Sequence, residues 1–350
     1  MKNEDIIIDG RMGEGGGQVL RSSLSLAAAL GRNVVIENVR GGRRKSGLLR
    51  QHRTALRAVR DITGGEIEGD ELGATSVRFA PGEAVHGGSY HFGIGSAGST
   101  MLVLQTVVPP LLLANAPSTI VLEGGTHNPM APPFECFAES FVPCLRAMGA
   151  EVTAELIRPG FFPAGGGQVR VDIKPVSEPK PFELTERGAK GRSSCTVMTQ
   201  NLPDHVAERE WKAFQKKVHW TRDRLVIQNV NASRGPGNVM LARLESGELT
   251  TVFASFGAKN LSSDLVGRQL GGLVRDYEST SAPVDEHLCD QLMLPMALLG
   301  GGTFRASRIT RHASTNAEVI GRFLEGAIEI GEGTREDGFT VSVRGAGLSA

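Results

Sequence analysis

Residues 18–39 read QVLRSSLSLAAALGRNVVIENV, an apolar helix-forming run, a glycine, then a β-branched run suited to a strand. Before the helix, IIIDG (6–10) leads through a Gly-rich turn, and after the strand LLRQHRTALRAVRDIT (48–63) has the spacing of an amphipathic helix. GEIEG (65–69) and SVRFAPG (76–82) then read as a closing hairpin. The same order returns in YHFGIG (90–95), STMLVLQTVVPPLLLANA (99–116), STIVLEGG (118–125), PPFECFAESFVPCLRAMG (132–149), AEVTAELIRPG (150–160) and GGQVRVDIKPV (166–176). A third run begins around EHLCDQLMLPMALLGG (286–301) and continues with TFRASRIT (303–310), STNAEVIGRFLEG (314–326), IEIGEG (328–333) and FTVSVRG (339–345). A period of roughly 85 to 95 residues predicts a duplicated βαβαββ unit and an α/β (α+β) fold.

Residues 185–279 have another texture, with both tryptophans, an amphipathic PDHVAEREWKAFQKKV (203–218), and the strand-like RLVIQNV (224–230) and TVFASFG (251–257). They predict a smaller inserted α/β domain, which leaves 1–184 and 280–350 as one large domain of three repeats. KPVSEPKPF (174–182) and STSAPV (279–284) suit its linkers.

At 350 residues, 40% hydrophobic and 22% charged, the chain has the composition of a globular protein with a large interior. Its longest apolar run, MLVLQTVVPPLLLANA (101–116), holds Gln105, Pro109 and Pro110 and is shorter than the roughly 20 residues of a membrane span. The start, MKNEDIIIDG, lacks the basic-then-apolar order of a signal peptide, so a cytoplasmic location is expected. Cys136, Cys144, Cys195 and Cys289 show no CxxC spacing and read as reduced, structural thiols. A formal net charge of zero argues against coating long nucleic acid, while leaving room for a local anion site.

Several stretches could carry chemistry. Gly93, Gly95 and Gly98 fit GxGxxG, with Glu123 at the end of the next strand, but the two prolines in the following helix and the absence of a doubly wound order speak for turn geometry over dinucleotide binding. DGRMGEGGGQVLR (9–21) sets glycines before a helix, where backbone amides suit a phosphate; Glu14 among them calls for a cation. RGGRRKSGLLRQHR (40–53) gathers Arg40, Arg43, Arg44, Lys45, Arg50 and Arg53, and Arg21 in the first helix could join them on one oxyanion. His52 reads as structural, and His86, His91, His205 and His219 form no ligand spacing for zinc. His312, in RITRHASTNAEVI (308–320), stands just before the third unit's second helix, with Ser314 or Thr315 as its expected cap. From the residues alone, packing and nucleophilic attack on phosphorus both stay open for it.

RPGFFPAGGGQVRV (158–171) resembles the signature of the RNA 3'-terminal phosphate cyclase family. DGRMGEGGGQVLRSSLSLA, KSGLLRQH, GIGSAGSTMLVLQT, EGGTHNPMAPP, HVAERE, RGPGN, DQLMLPMAL and RHASTNAEVIGRFL are similar to that family's blocks in order, over essentially the whole chain. The resemblance implies three βαβαββ units with an enolpyruvyl-transferase-like architecture plus the insertion. It also implies a chemistry: ATP adenylylates a histidine, AMP passes to an RNA 3'-phosphate, and the neighbouring 2'-hydroxyl closes a 2',3'-cyclic phosphate and expels AMP. By position, the nucleophile falls on His312, and a divalent ion (Mg2+ or Mn2+) on Glu14. Nucleotide contacts fall on Glu14, Gln105 and the run His287, Leu288, Cys289, Asp290, Gln291, and substrate-phosphate contacts on Arg21, Arg40, Arg43 and Gln51. Two positions depart from the pattern: His287 stands where a tyrosine is common and Ser46 where a proline is usual. The partners implied are ATP and RNA 3'-phosphate ends, with no membrane and a homodimer left open. An aromatic content of 5% offers few stacking platforms, which predicts end recognition with little sequence preference. The rivals are a non-catalytic cyclase-like protein of ribosome biogenesis and an enolpyruvyl transferase on the same architecture.

Overall fold

The computed structural model describes residues 4–230 and 234–350. The first repeat comprises β1 (Ile6–Asp9), α1 (Gly17–Leu30), β2 (Val34–Glu37), α2 (Arg50–Thr63), β3 (Glu66–Glu68) and β4 (Val77–Ala80). Its helices end on Gly31 and Gly64, whose left-handed backbone lets each N–H donate to a carbonyl of the last turn. The amphipathic α2 buries Ala55, Leu56, Ala58, Val59 and Ile62 and shows its arginines to solvent.

The second repeat follows as β5 (Gly88–Gly93), α3 (Thr100–Leu111), β6 (Ser118–Gly124), a π-helical turn (Cys136–Phe141) running into α4 (Val142–Ala147), β7 (Glu151–Arg158) and β8 (Gly167–Lys174). Pro109 and Pro110 close the last turn of α3, so the prolines of the apolar run limit the helix without breaking it earlier. Along β6, Ser118, Ile120, Leu122 and Gly124 are buried and the residues between them are not, the period of a sheet with one face on the core.

The third repeat differs from its reading in sequence. Its first strand is β9 (Phe182–Leu184), which pairs in parallel with a later strand of the unit; three residues in a Pro-rich stretch are too short for a period to show. The insertion follows as β10 (Lys190–Gln200), α5 (His205–Val218), β11 (Leu225–Asn229), β12 (Gly237–Ser246), β13 (Leu249–Phe256) and α6 (Ser263–Glu278). The repeat then resumes with α7 (Glu286–Leu298), β14 (Gly302–Ala306), α8 (Arg311–Phe323), β15 (Ile328–Thr334) and β16 (Gly338–Val343).

Three four-stranded sheets share one order, β1-β2-β4-β3, β5-β6-β8-β7 and β9-β14-β16-β15, each with a parallel first pair and antiparallel remainder. The first helices of the repeats, α1, α3 and α7, pack on one another, and one hydrophobic core runs through all three units. The insertion has its own sheet, β11-β10-β12-β13, and a separate core in which Trp211, Phe214 and Trp220 pack beside Val266 and Leu270. Its other sheet face rests on the π-helical turn: Arg243 donates to both carboxylate oxygens of Glu139 at 2.6 and 2.9 Å, and Ser140 Oγ donates to the Thr250 carbonyl at 2.7 Å. No described helix is long and apolar enough to cross a membrane.

Candidate active site

The N-terminal turns of α1, α2 and α8 lie close together, His52 of α2 beside Gly17 of α1 and His312 of α8 beside Glu14. Helix N-termini carry unpaired N–H groups and a partial positive charge, so this arrangement draws anions. Helix α8 starts earlier than the sequence suggested: Thr310 is the cap, its Oγ1 accepting from Ala313 N–H at 3.1 Å, and His312 lies inside the first turn. Ser314 and Thr315 do not cap; their hydroxyls donate back to the carbonyls of Thr310 and Arg311. Thr315 Oγ1 also accepts from Glu14 N–H at 3.1 Å, and Arg311 Nη2 donates to the Gly13 carbonyl at 2.7 Å, so α8 fixes the Gly-rich loop.

Glu14 forms an ion pair with Arg43, and its Oε2 lies 2.6 Å from His312 Nδ1. The ring nitrogen is aligned instead on Gln18 Oε1, 2.8 Å away, which leaves Glu14 Oε2 buried with no hydrogen-bond donor. Gln18 Nε2 in turn donates to Asp290 Oδ2. Asn316 Nδ2 donates to the Asp290 carbonyl at 2.7 Å, and Ser22 Oγ to Asn316 Oδ1 at 2.6 Å, so polar side chains cross-link α1, α7 and α8 below the cleft.

Burial, with Arg21, Arg43 and His287 adding to it, pushes His312 down to about 4, so its imidazole is neutral at physiological pH. Burial likewise takes Arg21 down to about 10 and Asp290 up to about 6, the latter opposed by His287 and Arg21. His52 is held at about 3 by burial and by Arg21 and Arg40; its Nδ1 accepts from Leu49 N–H at 3.3 Å, which locks the start of α2. The glycines before α1 leave room for these side chains. A Cβ on Gly17 would stand 2.5 Å from His52 Nε2 and 2.9 Å from Arg21 Nη1, and one on Gly16 2.8 Å from Arg43 Nη2.

Glu14, Arg21, Arg43, His287, Asp290 and His312 therefore gather in one place, whereas Gln51 Oε1 accepts from Ser99 N–H at the start of α3. Arg40 is engaged within its own loop, donating from Nη1 to the carbonyls of Lys45 and Gly47 at 2.7 and 3.0 Å. Gln105 is half-buried in the middle of α3. In the run 287–291, the side chains of Leu288 and Cys289 point into the core, 3% and 0% exposed, while those of His287, Asp290 and Gln291 are not fully buried. Gln18 was missed in sequence; its signal was a polar residue on the buried face of an apolar helix, in line with Ser22 and Ser25.

The signature stretch turns out to be architectural. Arg158 Nε donates to the Gly166 carbonyl at 2.6 Å, and Thr126 Oγ1 accepts from Gly160 N–H at 2.9 Å. Phe161 is buried against Gly237 of the RGPGN block, where a Cβ would come within 2.1 Å of the ring. As for metals, no group of three or more His, Cys, Asp or Glu side chains among the described residues could hold an ion by itself. The donorless Oε2 of Glu14 does fit a magnesium-like ion, which is held by one or two carboxylates together with substrate phosphates and water.

A repeated α/β fold with a neutral histidine among helix N-termini and two arginines defines a protein built to act on a phosphorylated ligand. The sequence profile described as RNA 3'-terminal phosphate cyclase matches residues 12–330. Proteins named RNA 3'-terminal phosphate cyclase are 42% identical over 346 residues in Koribacter versatilis (99% of this chain, 97% of that protein). In Pseudomonas fluorescens the figure is 44% over 329 residues (94% and 95%), and in Salmonella agona 42% over 319 (91% and 92%). The chain belongs to the RNA 3'-terminal phosphate cyclase family. The solved structure of the enolpyruvyl transferase NikO from Streptomyces tendae aligns at a TM-score of 0.39 and 10% identity, covering 99% of this chain and 51% of that one.

Proposed function

We propose that this chain uses ATP to convert an RNA 3'-terminal phosphate into a 2',3'-cyclic phosphate, with His312 as the nucleophile that carries AMP. The carrying observation is the placement of His312 in the first turn of α8, with Nδ1 beside Glu14 Oε2 and Gln18 Oε1, where burial and the nearby Arg21 and Arg43 favour the neutral imidazole. A neutral ring nitrogen has a lone pair for the α-phosphorus, and the cations and helix N-termini balance the negative charge of the triphosphate. Splitting the reaction in two converts the poor leaving group of a 3'-phosphate into AMP, after which ring closure needs mainly orientation, because the 2'-hydroxyl is already adjacent. Glu14 would hold a divalent ion, which when bound supplies charge neutralisation to the phosphates. Arg21, Arg43 and Gln51 are the groups for the RNA phosphate, and His287, Asp290 and Gln291 those for the nucleotide. A non-catalytic role in ribosome biogenesis would leave this constellation without use and is not favoured.

Intact mass after incubation with ATP and magnesium tests the reading. An added AMP is expected on the wild type and not on His312→Ala; absence of the adduct on a folded, ATP-binding wild type would refute it.

A further inference from the structure

The first turn of α2 looks two ways. On one side, His52 packs against Gly17 next to Arg21. On the other, Gln51 Cβ lies 3.1 Å from the place of a Cβ on Gly98, and Arg50 Nη1 3.4 Å from that of a Cβ on Gly95. The loop 94–98 backs onto a second loop: a Cβ on Gly165 would stand 2.9 Å from Ala97 Cα, and Asn128 Nδ2 donates to the Ala97 carbonyl. This second loop in turn meets the insertion, where a Cβ on Gly166 would stand 3.2 Å from Arg234 Cδ and one on Gly235 3.0 Å from Ala164 Cβ. A strip of Gly-rich backbone thus runs from α2 to the insertion, with an arginine at each end. Arg50 and Arg234 are both exposed, and neither guanidinium has a hydrogen-bond or ion-pair partner among the described residues. Arg158 in the same region is spent on the Gly166 carbonyl, and the Glu123 carboxylate faces His91 and Gln168.

We propose that this strip holds the nucleotides that precede the terminal phosphate of the RNA, with Arg50 and Arg234 on backbone phosphates and Phe162 under a base. This rests on the cyclase reading above. Unpaired cations flanking bare backbone suit a chain of anions, because glycines let a sugar-phosphate backbone come close and a guanidinium can donate two parallel hydrogen bonds to one phosphate. Phe162 lies in the second loop and is 59% exposed, although its neighbour Phe161 is buried, so its ring offers a face on which one base can stack. Contacts of this kind position a strand and carry no sequence information, since every base has such a face. The terminal phosphate belongs to Arg21 and Arg43, and Arg234 is the most remote of these groups along the strip. A single nucleotide therefore gains nothing from Arg234, and each added nucleotide gains until the strip is filled. The insertion takes part in the RNA step through Arg234 and has no group in the histidine step.

The test titrates full-length protein, without ATP, against 5'-fluorescent RNAs that end in a 3'-phosphate and grow from a single nucleotide upward, read by anisotropy. Wild-type affinity should rise over the first few nucleotides and then level off, whatever the base sequence. Arg50→Ala, Arg234→Ala and Phe162→Ala should each weaken binding of the longer RNAs roughly tenfold, as loss of a charged hydrogen bond or of a stacked base does, with the shortest RNAs least affected by Arg234→Ala. Each arginine variant should also lower the slope of log affinity against log salt by about 0.7, the share of one phosphate on a single strand. Lys212→Ala, which removes an exposed cation of α5, should bind as the wild type does. Wild-type affinity that is equal at every length would overturn the proposal. So would arginine variants that keep both affinity and slope, or a loss in Lys212→Ala as large as theirs. A wild type that binds RNA as expected yet takes up no AMP would instead defeat the cyclase reading and leave the strip as an RNA site.

Discussion

At the scale of residues, the contacts around His312 join charged side chains to uncharged ones from other elements. Glu14, Arg21, Arg43 and His312 stand out because charged or ionisable groups next to glycines and helix starts have few structural uses. Gln18 and Thr310 do not stand out, since a glutamine in a helix and a threonine before one are commonplace; only contacts across 272 and 294 residues make Gln18 part of the site. The glycines belong to the same argument. Gly17 opens α1 with its Cα close to His52 and Arg21, so Gly17→Ala adds a methyl in a position that favours helix yet pushes both side chains. Adduct formation should fall by at least about tenfold, as small misplacements at a reacting centre do, while the melting temperature moves by only a few degrees. A comparable loss of folded protein would show that the glycine serves the fold and not the site.

Elements were legible where their period was long. The first-unit helices and hairpin, and β6 and β8 with their alternating burial, sit where hydropathy placed them. Helix α6 went unread because its face of Val266, Leu270 and Val274 includes glycines, and the cap of α8 was placed at Ser314 or Thr315, four or five residues late, because it is a threonine preceding Arg311 and His312. Helix α5 carries a property that no pattern announces. Glu210 is 1% exposed, and burial pushes its carboxyl up to about 7 against the opposing hydrogen bond from Asn238. For an acid whose folded value is raised, stability is fully present below the unfolded value and declines as pH climbs to the folded one. The insertion should therefore lose stability between about pH 4.5 and pH 7 and level off above, by about 3 kcal/mol at most. Both tryptophans lie in that core, so their fluorescence in urea follows the insertion alone. The midpoint of the wild type should fall across this window and that of Glu210→Gln should stay level; parallel curves would mean that Glu210 does not titrate there.

At the scale of the molecule, three like units were visible in the repeat, and the place where the chain departs from it was visible only as a change of texture. The pairing of β14 explains how the departure is tolerated. Gly302 to Phe304 face Phe182 to Leu184 in parallel, and two residues further along the same edge Ala306 faces Val284, also in parallel. The chain leaves the sheet after β9 and returns to the same line, so the two ends of the insertion are spanned by about 7 Å of strand. Arg187 closes the neck by donating to the carbonyls of Ala282 and Tyr277. Among the described residues, none of the groups set around His312 comes from the insertion; its contacts with the large domain lie at the second repeat, Phe161 on Gly237 and Arg243 on Glu139, and at the third, Arg187 on Ala282 and Asp276 with Arg335. Joining Thr185 directly to Val284 should thus leave the third repeat intact, with Phe161 as the main apolar group laid bare; replacing it with Gln should keep the shortened protein soluble. This protein is expected to retain the helical circular dichroism of the large domain, to melt at a lower temperature, and still to take up AMP on His312 in the presence of ATP and magnesium. A folded product that takes up no AMP would show that the insertion holds the His312 cleft in shape through the second repeat. An unfolded one would show that the large domain depends on the insertion for its stability, through shared packing such as Phe161 among Met198, Val239, Leu241 and Val252 and Leu249 in the large core.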